Sequence, residues 1–186
     1  MDHLEAIVEI KNVDNLINHD FCDEIIDSYK NFNLKHLPVI DSVSTSTKIN
    51  KNERNVLGCN VHPNKYPFNK IKEQIEKAYI YYKVKFAFIK SNKINQIDLL
   101  KYEVGGAYGY HIDCYTDYSR TTSVIINLND DYKGGDLVFT DQNCNEIKKC
   151  NLQKGSIVFF PSNFMYPHGI KPVTEGIRYS VVAWLQ

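Results

Sequence analysis

His111-Ile112-Asp113 sets an imidazole and a carboxylate two residues apart, and His168 follows 55 residues after Asp113. On a β-strand, residues i and i+2 point to the same face, so His111 and Asp113 can share one metal ion. A second imidazole from a distant strand completes a facial triangle. Two imidazoles and one carboxylate leave three neighbouring positions of an octahedral ion open. That suits a non-haem ferrous ion taking up two further reactants, whereas a hydrolytic zinc needs one open position. His-x-Asp alone is a common accident of sequence, so its surroundings decide. His168 stands in YPHGI after an apolar strand and a Pro161-Ser162-Asn163 turn, and Arg178 follows ten residues later at the start of RYSVVAWL. An arginine opening an apolar strand is costly to bury without a carboxylate. That strand holds no acidic residue. A bound dicarboxylate would serve, through a bidentate fork.

Other side chains in this stretch have ordinary readings beside functional ones. Tyr102 and Tyr110 suit any strand. Trp184, the sole tryptophan, serves packing as well as it would line a pocket. Arg120 reads first as a solvent-facing strand end and second as a substrate contact. Strand alternation turns Cys114 to the face opposite Asp113. His3, His19, His36 and His62 have no partner at metal spacing and read as surface residues.

These groups need strands to hold them, and the texture from about residue 85 is that of strands. QIDLLKYEV, AYGYHIDCY, TTSVIINL, GDLVF, SIVFF and RYSVVAWL are rich in β-branched and aromatic residues, and turn sequences such as Gly105-Gly106 and Gly134-Gly135 separate them. NEIKK and MYPHGI each supply one more short strand. About eight strands in a hundred residues is the density of a sandwich or barrel. The first half is different. IVEIKNV, residues 7–13, alternates like an edge strand. HDFCDEIIDSYKNF puts Phe21, Ile25, Ile26 and Tyr29 on one helical stripe with Asp20 as the expected N-cap. A polar stretch over 41–55 reads as a long loop. A second helix opens at Pro67, with Phe68, Ile71, Ile75, Ala78, Tyr79 and Tyr82 at three- and four-residue steps. The expectation is one domain over 1–186, mainly β with N-terminal helices (α+β): a support region over 1–95 buttressing a β core over 96–186.

Composition narrows the function classes. Twenty-two Lys+Arg against twenty-two Asp+Glu give zero formal charge, so no global field favours nucleic acid or an anionic membrane. No apolar run approaches the roughly 20 residues of a membrane helix, and the acidic N-terminus lacks a secretory layout. Five cysteines, odd in number and without a CxxC pair, read as reduced thiols of a cytoplasmic protein.

With these residues in place, the segment from about Gln96 to Leu185 resembles the 2-oxoglutarate- and Fe(II)-dependent dioxygenases, most closely their prolyl 4-hydroxylase-like branch. KYEVGGAYGYHID carries the family's Tyr-Gly-Tyr-His-x-Asp pattern with slightly shifted spacing. Arg120-Thr121, Leu128-Asn129, GGDLVF, KGSIVFFPS, His168, Arg178 and Trp184 follow in family order. The resemblance implies a double-stranded β-helix, a jelly-roll barrel with helices on its larger sheet. His111 and Asp113 would lie on the second core strand, His168 on the seventh and Arg178 on the eighth. It implies Fe(II) held by His111, Asp113 and His168, and 2-oxoglutarate and O2 as cosubstrates with ascorbate as reductant. Arg178 would meet the distal carboxylate of 2-oxoglutarate, helped by Tyr102, with Asn127, Leu137 and Trp184 around the cosubstrate. Tyr110 and Arg120 become substrate contacts. Asn127 stands where several prolyl hydroxylases carry Tyr, and Leu137 where others of the branch carry Thr. A carboxylate at Asp113 implies hydroxylation, since halogenating relatives carry a small residue there. The substrate would be a peptidyl residue, proline first, with succinate and CO2 released. The alternatives are another protein side chain, a free amino acid or small metabolite, and a non-catalytic metal-binding jelly roll. The polar segments over 41–55 and 114–119 are candidate lids.

Overall fold

Apolar alternation in the second half builds two facing sheets. The computed structural model describes residues 3–11, 17–40, 46–114 and 120–186. In chain order the strands are β1 (Val8–Ile10), β2 (Lys35–His36), β3 (Val39–Ile40), β4 (Thr47–Lys48), β5 (Arg54–Asn55), β6 (Leu57–Asn60), β7 (Ile94–Tyr102), β8 (Ala107–His111), β9 (Thr122–Asn127), β10 (Lys133–Gly134), β11 (Leu137–Thr140), β12 (Glu146–Cys150), β13 (Ile157–Pro161), β14 (His168–Ile170), β15 (Val173–Glu175) and β16 (Arg178–Leu185). The larger sheet has the order β1-β13-β9-β16-β7-β6-β2 and the smaller β12-β11-β14-β8-β5. β10 with β15 and β3 with β4 form short ribbons. From β7 onward the chain passes repeatedly between the two sheets, so residues distant in sequence face one another across the interior.

The period of two decides which side chains enter which core. In β9 all six residues are buried. Val124 and Ile126 join the apolar layer beneath the helices, while Ile125 joins the layer between the sheets. β7 divides likewise: Ile97 and Leu99 face the helices, Leu100 and Tyr102 the interior.

Two helices cover the back of the larger sheet. α1 (His19–Ser28) buries Phe21, Cys22 and Ile25, leaving Ile26 half-buried. Its N-cap is Asn18, whose side chain accepts the Phe21 amide at 2.8 Å. The expected cap, Asp20, lies inside the first turn, because an equally good acceptor stands two residues earlier. α2 (Phe68–Lys85) follows Pro67 and buries the six residues expected of it. Buried tyrosines tie the layers through their hydroxyls: Tyr29 donates to Ser180 O at 2.8 Å and Tyr82 to Ala6 O at 3.0 Å.

The stretch expected to be a loop over 41–55 contains structure. β4 pairs with β3, and β5 adds an edge to the smaller sheet beside β8. Two-residue polar strands carry no alternation to read, so only their partners reveal them. Residues 41–45 and 115–119 of the candidate lids lie outside the described residues. His36, expected at the surface, is half-buried in β2. Among the described residues no helix is long and apolar enough to cross a membrane.

Ile75, with no exposed surface, sits at the centre of the helix-to-sheet layer. Ile75→Ala is expected to cost about 2–5 kcal/mol of stability, read from urea unfolding as a lower midpoint at unchanged slope.

Candidate metal centre

His111 ends β8, and His168 opens β14, the strand paired with it; the register sets the two histidines opposite each other. Asp113 lies two residues past the end of β8 rather than within a strand, as alternation had implied. Cross-strand pairing therefore brings the imidazoles together, and the turn after β8 swings the carboxylate between them. Asp113 Oδ1 is 3.5 Å from His111 Nε2, and its Oδ2 is 3.6 Å from His168 Nε2. One ligand atom from each residue lies within 4.8 Å of the others. The group could hold a metal ion.

The surrounding hydrogen bonds orient all three. His111 Nδ1 lies 2.9 Å from Gly109 O, and His168 Nδ1 lies 3.1 Å from Tyr166 O. A carbonyl only accepts, so each ring carries its proton on Nδ1 and offers the Nε2 lone pair to the centre. Ser123 donates to Asp113 Oδ2 at 2.6 Å and is itself 2.8 Å from Ser162 Oγ. The His111 ring stacks on Tyr108 at 3.7 Å, and His168 packs 4.7 Å from Phe160. Gly169 is required by this closeness: a Cβ there would meet Tyr108 O at 2.8 Å, separating β14 from β8.

Burial sets the charges. Desolvation pulls the His168 imidazole down to about 4, so it is neutral near pH 7. Burial pushes the Asp113 carboxyl up, but the two imidazoles and the Ser123 hydroxyl outweigh it and hold the group well below the usual carboxylate range. Imidazole lone pairs and an ionised carboxylate are what a divalent ion requires of its ligands.

The triad opens on a cavity of about 190 Å³ whose other wall is the larger sheet. Tyr102, Arg120, Arg178 and Trp184 all reach it. Asn127 and Leu137 are fully buried and do not line it. The Asn127 amide donates to Asn129 O and Leu152 O and accepts from Tyr132. Tyr110 also lies off the cavity, exposed and bonded to Glu146. Arg120 corrects its first reading: it is half-buried, stacked 3.8 Å over Trp184 and bonded to Gln96 Oε1 and Asp113 O. The strand end turns inward because the indole gives the guanidinium a face to lie on.

Arg178 is 1% exposed, yet among the described residues one nitrogen alone is hydrogen-bonded, to Ser180 Oγ at 3.1 Å. Its Nε and second terminal nitrogen are buried with no hydrogen-bond partner among the described residues. Gly135 leaves it room, since a Cβ there would stand 3.0 Å from Arg178 Cδ. An unpaired, desolvated guanidinium across a cavity from a metal triad fits a small chelating diacid. Sequence reasoning missed Ser123, Arg54, Gln96 and Asp98, which support or line the site. Asp98 carried a signal, a charge amid the apolar residues of IDLL; Ser123 gave none.

Because Ser123 orients Asp113, Ser123→Ala is expected to weaken divalent-metal binding by about 10–100-fold. Calorimetric titration with Mn(II) reads the effect, the thermal midpoint serving as the folding control.

The sequence model of the 2OG-Fe(II) oxygenase superfamily matches residues 97–186. A PKHD-type hydroxylase of Rippkaea orientalis is 33% identical over 103 residues, covering 50% of this chain and 44% of that protein. One from Gloeothece citriformis is 32% identical over 106 residues, covering 53% and 46%. The chain thus spans about half the length of the curated relatives it matches. Among solved structures, a Pseudomonas putida prolyl-4-hydroxylase superposes with TM-score 0.73 at 17% identity, covering 100% of this chain and 96% of that one. A Trichoplax adhaerens prolyl hydroxylase in complex with a hypoxia inducible factor oxygen degradation domain peptide fragment gives 0.75 at 16%, covering 99% and 86%. At such identities the likeness is one of fold. The superfamily's sequence model thus spans the strands that carry the triad and Arg178, and it is over these residues that the chain is similar to the 2OG-Fe(II) oxygenase superfamily.

Proposed function

We propose that the protein is an Fe(II)- and 2-oxoglutarate-dependent dioxygenase that hydroxylates a peptidyl residue, proline first, releasing succinate and CO2. The observation that carries this reading is the unpaired Arg178 guanidinium on the same cavity as His111, Asp113 and His168. A metal-binding barrel without catalysis has no use for it. The strand order, four core strands in each sheet with sequence neighbours distributed between them, supports a double-stranded β-helix. We read residues 1–186 as one such domain, with 1–95 as support and 96–186 as core. A cytoplasmic setting accords with the five free thiols.

In the proposed reaction His111, Asp113 and His168 hold Fe(II), which with 2-oxoglutarate and O2 supplies the oxidising power, ascorbate acting as reductant. The remaining work belongs to the chain. Arg178 takes the distal carboxylate of the diacid and is aimed by Ser180. Burial pushes the Tyr102 hydroxyl up, so it stays protonated as a donor beside that carboxylate. The Nδ1 bonds of both histidines keep the rings from rotating. Phe139, Phe160 and Ile125 close the interior around His168 and keep bulk water away. A peptide substrate accords with the peptide-bound Trichoplax neighbour.

The protein with Fe(II) is expected to release succinate from labelled 2-oxoglutarate. His168→Ala is expected to abolish release together with metal binding. Arg178→Met is expected to keep metal binding and raise the 2-oxoglutarate KM by about 100-fold or more. Mass spectrometry of proline-containing peptides would show a gain of one oxygen. Succinate release that survives His168→Ala at the wild-type rate would sink the proposal.

A further inference from the structure

β7 presents Gln96, Asp98, Leu100 and Tyr102 to the cavity, and its neighbour β16 presents Ser180, Val182 and Trp184. The register orders this wall. Tyr102 pairs with Arg178 at one end, Asp98 with Val182 in the middle and Gln96 with Trp184 at the other end. Asp98 therefore stands between the guanidinium assigned to the cosubstrate and the Arg120–Trp184 stack.

Asp98 is 6% exposed. Its hydrogen bonds come from neutral amides: Asn60 Nδ2 reaches Oδ1 at 3.0 Å, and Gln96 Nε2 reaches both oxygens at 2.9 Å. Among the described residues no cationic nitrogen stands within ion-pair distance of it. Arg54 and Arg120 act on it through space, but both are engaged elsewhere. Arg54 donates to Pro38 O at 2.9 Å and lies over Tyr108; Arg120 bonds Gln96 and Asp113 and stacks on Trp184.

A carboxylate offers about four lone-pair directions, and two amides leave at least one open toward the cavity. Burying it without a counter-charge is costly. Asp113 has the metal to answer it and Arg178 has the diacid. Asp98 is the acidic group of the cavity still lacking a counter-charge. Gln96, held by Arg120, fixes the carboxylate in place, so a ligand does not bear the cost of orienting it.

We propose that Asp98 is a recognition site for a nitrogen cation of the substrate, an ammonium or guanidinium brought beside the reacting centre. This rests on the dioxygenase reading and deepens it by assigning the substrate's charge. The cation is that of a basic side chain, carried either by a peptide or by a free amino acid.

The test is calorimetric titration of the full chain with Mn(II) and 2-oxoglutarate bound. The free-amino-acid probes are L-lysine and L-arginine, with cationic side chains, against L-norleucine and L-citrulline, whose side chains are neutral. The peptide probes are a blocked lysyl-proline peptide and its norleucyl-proline counterpart. In at least one arm the cation is expected to bind about tenfold or more tightly than its neutral isostere, and the responding arm identifies the source. Asp98→Asn is expected to bring that ratio near one while the Mn(II) and 2-oxoglutarate affinities stay within about twofold. Val182→Lys, whose ammonium would occupy the carboxylate from the facing register position, is expected to erase the preference with Asp98 intact. Equal binding of cation and isostere by the wild type, or binding of neither, would overturn the assignment. So would a preference that survives Asp98→Asn, or one lost only in step with Mn(II) affinity, which would make Asp98 a support for Arg120. Absence of succinate release would instead count against the dioxygenase reading, because the Mn(II) titration does not depend on turnover.

Discussion

The centre depends on one buried carboxylate kept ionised. Asp113 is 6% exposed, and desolvation by itself would protonate it and cost it its affinity for a metal. The opposing forces come from separate places: two imidazole edges across a strand pair, and one serine hydroxyl from the larger sheet. Only His111 shares Asp113's own stretch of chain; His168 comes from β14 and Ser123 from β9. The charge that defines the site is thus a property of the assembled sheets, and anything that parts β8 from β14 or shifts β9 removes it. Gly169 matters for the same reason, since the spacing between β14 and β8 admits no Cβ there.

The two sheets divide the chemistry. Metal-facing groups come from the smaller sheet, through β8, the turn after it and β14. Tyr102, Arg178, Trp184 and Asp98, which meet organic ligands in the proposed reaction, come from neighbouring strands β7 and β16 of the larger sheet. α1 and α2 lie on the back of that larger sheet, and Tyr29 bonds the main chain of both strands, at Leu100 and Ser180. The helices thereby stiffen the wall that reads ligands, while the metal side is stiffened by its own cross-strand pairs. That division gives the first half of the chain a role although it contributes few groups to the cavity.

Much of this arrangement was legible in the residues. The triad and Arg178 could be read from charged and ligating residues set among apolar strands, and α2 from six apolar positions at helical spacing, whereas Tyr102 suits any strand and entered only through the family resemblance. The β3–β4 ribbon and β5 were not, since two-residue strands have no period. Asn18 was passed over as a cap because Asn18 and Asp20 both offer acceptors, and only backbone geometry selects between them. Arg120 misled because a charged residue at a strand end ordinarily seeks water; here Trp184, more than sixty positions away, supplies a face for it. Ser123 gave no signal, because its importance lies in the Asp113 carboxylate it touches across the interior, whereas Asp98 stood out as a charge among apolar residues and was overlooked.

Arg178 and Asp98 present the same physical problem with opposite sign. Each is more than nine-tenths buried, each faces the cavity, and neither has an ionic partner among the described residues. A fold that tolerates two such charges has met their desolvation cost in advance, through packing elsewhere. A ligand that satisfies them bears its own desolvation but not theirs, so its ion pair gains more than the same pair would at the surface. Selection at this cavity is therefore by charge placement more than by shape. A diacid answers one end of the β7–β16 wall and a cation its middle, and a neutral molecule of equal size leaves both charges unanswered.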